Sequence, residues 1–205
     1  MRREAPPRFA IGDYSKFPGL NYAHERPFRN WKDMPLTAAI GGWLSTDPPA
    51  LELATLAYEE LRLRGTDLNA GMKFAEANLK PVPWLMEAGL RVRATFTPDV
   101  LAEQKSGRLG ANVYVILRHG YSEENGTYGA YVGSTGKTPA RRCLEHRKGI
   151  RAARGLPRYG IEPLWWLFDF INPVPRARKG REEWETRLHE ALAPVVPKVT
   201  GDVAF

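Results

Sequence analysis

The chain has a single cysteine, Cys143, so no disulfide can form within it, and that usage fits a reducing compartment. No apolar run approaches the roughly 18 to 20 residues that a membrane-spanning helix requires. No apolar stretch follows the charges of Met1-Arg2-Arg3-Glu4, so the N-terminus does not read as a secretory leader. Internal repeats, low-complexity segments and zinc-ligand cysteine pairs are also missing. These absences argue against a disulfide scaffold, a membrane protein and a zinc module. The expectation they leave is a cytoplasmic globular protein with no membrane partner.

What is present begins with size and charge. The chain has 205 residues, 43% hydrophobic and 26% charged, enough for one large domain or two small ones. Its net charge of +7 attracts polyanions at long range. Lys137, Arg141, Arg142, Arg147, Lys148, Arg151, Arg154 and Arg158 fall in one short segment broken by a single acid, Glu145. Charge runs are usually solvated helix faces. One this one-sided reads better as a phosphate-facing surface.

Residues 1–49 are rich in Pro, Gly, Arg and aromatics (Phe9, Tyr14, Phe17, Tyr22, Phe28, Trp31) with weak periodicity, and read as an irregular arm packed on something else. The spacing of Leu53, Ala54, Ala57, Tyr58 and Leu61 predicts a helix over 50–64 stopped by Gly65. A second helix is expected over 67–79. This pair has the form of a helix-turn-helix, but its second helix lacks a cluster of base-reading Arg or Gln, so scaffold is the better reading. Leu90, Val92, Ala94 and Phe96 alternate with polar residues and predict a half-buried strand. Thr97-Pro98 then opens a short helix ending near Gly107.

The second half predicts strands over 113–117 and 128–133, joined by a polar loop over 121–127 that contains Asn125-Gly126. A helix opened by Pro139 runs to about Ala153. The apolar run 164–171 reads as a central strand. Trp184, Leu188, Ala191 and Leu192 mark a final helix closed by Pro194. The expected fold is α+β: a ββαβα domain over 111–205 around a small antiparallel sheet, preceded by a mainly helical region over 1–110.

That order, with Asn112-Val113-Tyr114, Tyr131-Val132-Gly133, Pro139-Ala140-Arg141-Arg142 followed by His146, and Glu185 ahead of Leu188 and Pro194, resembles the GIY-YIG nuclease superfamily over about residues 111–200. Tyr128 competes with Tyr131 for the second signature, and the following Val-Gly favours Tyr131. Three departures stand out: Asn112 replaces the first glycine, the loop 134–138 is one residue longer than in typical members, and no asparagine follows Pro194. The longer loop leaves Arg141 and Arg142 competing for the catalytic place. Arg142 is preferred because it lies four residues before His146, on the same helix face.

The resemblance implies a metal-dependent DNA endonuclease with Tyr114, Tyr131, Arg142, His146 and Glu185 as catalytic residues. Glu185 would anchor Mg2+, with Mn2+ as a substitute, since magnesium binds through one or two carboxylates and keeps its waters. Arg142 would clamp phosphate oxygens with its planar fork. His146 would transfer a proton near neutral pH, and the tyrosines would activate or position water. Lys137, Arg141, Arg147, Lys148, Arg151 and Arg154 are the expected nucleic-acid contacts. One such centre cuts one strand, so double-strand cleavage implies a homodimer on DNA or two visits. The alternative from another class is a non-catalytic DNA-binding protein that keeps the fold.

Overall fold

Arg64 donates to the carbonyls of Phe28, Arg29 and Trp31 at 2.7–3.1 Å and to Asp33 at 2.6 Å, pinning the N-terminal arm to a helix. The computed structural model in which this is seen describes residues 14–104, 108–120 and 122–201. Phe9, the expected helix end at Gly107 and the start of the hairpin loop at Tyr121 lie outside the described residues. The chain divides into two compact units, Met1–Leu85 and Met86–Phe205. No helix among the described residues is long and apolar enough to cross a membrane.

The first unit holds α1 (Asp33–Leu44), α2 (Leu51–Arg64) and α3 (Leu68–Glu76). The arm is less irregular than its weak periodicity suggests, because residues 33–44 are helical. Its aromatics do pack: Phe17, Phe28 and Trp31 gather against Trp43 of α1 at centroid distances of 5.4–6.4 Å. Gly65 closes α2 in the left-handed conformation. Glu60, buried in α2, accepts from Arg26 at 2.7 Å and from Arg64 at 2.8 Å, so one carboxylate ties arm and helix together.

The second unit begins with α4 (Leu85–Thr95) and α5 (Pro98–Gln104). The strand expected at 90–96 is therefore helical. Its alternation was incidental: Leu85, Ala88 and Val92 are buried at helical spacing, whereas Leu90 and Ala94 are exposed. Gly89 on this stripe lets α4 meet Trp166, since a Cβ there would fall 2.1 Å from the indole ring. Phe96 stacks on Trp184 at 5.3 Å.

The sheet contains β1 (Leu109–His119), β2 (Tyr128–Thr135), β3 (Gly160–Pro163), β4 (Val174–Pro175) and β5 (Val199–Thr200), in the order β3-β1-β2-β5 with β4 also on β1. The pairs with β1 are antiparallel, as expected. β2 and β5 run parallel, which was not. The helices here are α6 (Pro139–Arg147), α7 (Leu156–Tyr159), α8 (Trp165–Phe168) and α9 (Arg178–Leu192). The fold is thus mixed α+β with a small sheet.

The central strand expected at 164–171 is not there. The third strand is β3, one step earlier, and Trp165–Phe168 turns helical within the core, followed by a 3-10 turn over Asp169–Ile171. A wholly apolar run does not distinguish a strand from a buried helix. The edge of β1 decides it. Val115 O accepts from Leu164 N at 2.9 Å, and Val113 N and O are both taken at 2.9 Å by the side-chain amide of Asn172. β4 covers 109–111 beyond. No length of edge remains for an eight-residue strand.

Candidate active site

The β1–β2 register places Tyr114 opposite Gly133 and Ile116 opposite Tyr131. Side chains of directly paired residues share a face, so Tyr114 and Tyr131 are diagonal neighbours on one face. Their ring centroids lie 6.2 Å apart. Gly133 makes room for this: a Cβ there would sit 2.5 Å from Tyr114 Oη and 3.0 Å from Tyr131 Cε1.

α6 lies over that face. Thr138 caps it, accepting from Arg141 N at 3.4 Å, and Pro139 occupies the first turn, where its missing N–H costs nothing. The helix presents Arg142, Cys143 and His146 inward. It ends at Arg147, short of the expected Ala153, because the chain turns through Gly149 and Arg151, both with positive φ. His146, 2% exposed, places Nε2 2.8 Å from Tyr114 Oη and its ring centroid 5.6 Å from that of Tyr131.

The other ring nitrogen defines the proton. Ala153 N donates to His146 Nδ1 at 3.4 Å, so Nδ1 is unprotonated in the neutral ring and Nε2–H donates to Tyr114. Burial, aided by Arg142, pushes the His146 pKa down to about 4, which keeps the ring neutral. The Tyr114 phenol is raised well above its ordinary value, first by burial and then by Tyr131. The charge of the Arg142 guanidinium works the other way. The Tyr114 oxygen therefore takes the His146 hydrogen bond, with the charge of Arg142 acting on it. Cys143 is buried beneath them, and burial holds its thiol up at about 12, a packing role.

Of the two candidate arginines, Arg142 is inward at 18% exposed and Arg141 outward at 72%. Arg142 donates to Ile150 O at 3.2 Å and Arg151 O at 2.8 Å. Four of the expected catalytic side chains, Tyr114, Tyr131, Arg142 and His146, thus come together. Glu185 stands on a different element. It is 5% exposed on α9, which packs against β1, β2 and β4. Among the described residues no three His, Cys, Asp or Glu side chains gather as a metal-binding group.

The expected nucleic-acid contacts lie on the surface: Lys137, Arg141, Arg147, Lys148, Arg151 and Arg154 are all exposed. Arg151 and Arg154 sit in the turn after α6 rather than on it. Glu145, passed over in the sequence except as an interruption, organises this surface. It pairs with Lys137 at 2.5 Å, Arg142 at 3.5 Å and Arg141 at 3.7 Å, and the Lys137 hydrogen bond holds its carboxyl below the usual range. Its spacing of three and four from the two arginines was the available signal. The roles of Asn172 and the Ala153 amide had none, being set by distant contacts. Comparison with protein-family models, curated proteins and solved structures found no match to the chain.

Proposed function

We propose that the second unit is a GIY-YIG-type nuclease centre that hydrolyses DNA phosphodiesters endonucleolytically. The observation that carries this reading is the His146 hydrogen bond to the Tyr114 hydroxyl, above Gly133 and beside Tyr131, with the charge of Arg142 acting on it. With His146 donating to its oxygen, the buried Tyr114 keeps its own proton available for a further acceptor. A neutral tyrosine is a poor base near pH 7, so Tyr114 acts as a donor or relay that positions water and phosphate. Arg142, always charged, offers its fork to the phosphate oxygens.

The carboxylate suited to a metal is Glu185. A single buried oxygen donor of this kind fits Mg2+, with Mn2+ as a substitute, because such ions complete their shells with water and substrate phosphate. When bound, the ion supplies charge neutralisation at the phosphate and an acidified water. The exposed cations around α6 would hold the backbone of the DNA, and a homodimer would allow both strands to be cut.

A second reading has an observation of its own. Arg142 already donates to two backbone carbonyls, which suits a structural arginine in a DNA-binding protein that does not cut. Supercoiled plasmid incubated with the full chain in Mg2+ or EDTA separates the two. Metal-dependent nicking lost in Glu185→Gln and Arg142→Ala supports the nuclease. Binding without cleavage, on plasmid and branched DNA and with Mn2+ as well, supports the binder.

A further inference from the structure

We propose that Ile150 is a wedge that enters a base step of duplex DNA, unstacking it beside the Tyr114 cluster. This rests on reading the second unit as a DNA-acting domain, and it names the state of the substrate: a duplex kinked at the site of contact.

Ile150 is 51% exposed at the turn that follows α6. Single exposed apolar residues are common and by themselves mean little. What sets Ile150 apart is its setting. Residues 147–158 contain Arg147, Lys148, Arg151, Arg154 and Arg158 and no acid, so the exposed apolar side chain lies in a segment whose charges are all positive. Minor-groove proteins that kink DNA use this combination: cations on the phosphates and an Ile, Leu, Met or Phe pushed between bases.

The tip is also held stiffly, as a wedge must be. Ile150 N donates to Glu145 O at 2.8 Å, and its carbonyl accepts from Arg142 at 3.2 Å. Gly149 N donates to His146 O at 3.0 Å, and Arg142 takes the Arg151 carbonyl at 2.8 Å. Gly149 at φ +74° and Arg151 at φ +45° turn the backbone sharply on both sides, leaving the side chain outward. Of the two residues that anchor the turn, His146 also lies 2.8 Å from the Tyr114 hydroxyl, and Arg142 is on the same helix face one turn earlier. A step opened by Ile150 therefore lies beside the cluster, and unstacking there loosens the sugar-phosphate backbone presented to it.

The test uses the full chain in EDTA, so that binding is read without cleavage. Short duplexes carry 2-aminopurine stepped through a central segment of flexible pyrimidine–purine steps. The wild type is expected to raise 2-aminopurine fluorescence at saturation. Ile150→Ala should bind and lose that rise, and Ile150→Leu should restore it. Lys148→Ala should keep the rise while lowering the salt dependence of binding by about one in slope. An undiminished rise with Ile150→Ala overturns the wedge and leaves the nuclease reading standing. So does tight wild-type binding with no rise at any step. Failure of the wild type to bind duplex DNA at all overturns both.

Discussion

The Tyr114 hydroxyl lies 2.8 Å from His146 Nε2, and the Ala153 amide on the opposite ring nitrogen makes histidine the donor of that bond. A buried neutral histidine has a consequence for stability. His146 has its pKa lowered from 6.5 to about 4 in the folded protein, so between those values the unfolded chain binds the extra proton. Stability is then fully present above about pH 6.5 and falls as pH drops toward 4, by up to about 3 kcal/mol. His189, also lowered by burial, adds to the same limb. Urea unfolding from pH 7 to 4 should show this loss in the wild type and a shallower one in His146→Gln. Parallel curves would mean that His146 does not titrate with folding.

Gly133 carries the second prediction. A methyl there would meet Tyr114 Oη at 2.5 Å, Tyr114 Cζ at 2.6 Å and Tyr131 Cε1 at 3.0 Å. These are ring atoms packed under α6, not flexible ends, so both tyrosines must move. Gly133→Ala should cost about 1–3 kcal/mol by overpacking and abolish any cleavage. Circular dichroism would show the fold retained. Cleavage at the wild-type rate would show that the tyrosine positions do not matter to the chemistry.

How far these features were legible in the sequence depends on the range of the interaction behind them. The Tyr114–Tyr131 face follows from strand alternation and hairpin register, and the Arg142–His146 face from helical spacing, both local rules. α2 and α9 likewise announce themselves by buried stripes and breakers. The failures lie where distant chain decides. Trp165–Phe168 leaves the sheet because Asn172 and β4 use the edge of β1. The alternation at 90–96 misled because the stripe that matters starts at Leu85, outside that window, and packs by way of Gly89 on a tryptophan far along the chain. α1 was hidden by aromatics and glycines whose partners belong to the arm.

Glu60 carries the third prediction. Burial works against its charge, but hydrogen bonds from Arg26 and Arg64 prevail and hold its carboxyl below the usual range. A lowered carboxylate contributes stability above its ordinary pKa and loses it as pH falls. Arg26 is half exposed, so part of the pairing is screened. Glu60→Gln should cost about 2 kcal/mol at pH 7 by leaving Arg64 beside a neutral partner. The difference from wild type should shrink as the pH drops below 4. A constant difference across pH would assign the cost to packing instead.

Arg141 and Arg142 are adjacent in sequence and opposite in consequence. Arg141 points outward with one ion pair at 3.7 Å, whereas Arg142 holds the carbonyls of Ile150 and Arg151. Arg141→Ala should change stability by less than about 0.5 kcal/mol, as surface substitutions do, and weaken DNA binding only through its charge. Arg142→Ala removes the anchor of the turn as well as a phosphate-directed cation. Hydrogen exchange should then speed up at the amides of 149–153 in Arg142→Ala and stay unchanged in Arg141→Ala, with cleavage lost in the first alone. Arg142→Lys discriminates further. A lysine keeps the charge but cannot span two carbonyls with a planar fork, so it should retain DNA binding and fail to restore either the protection or the cut.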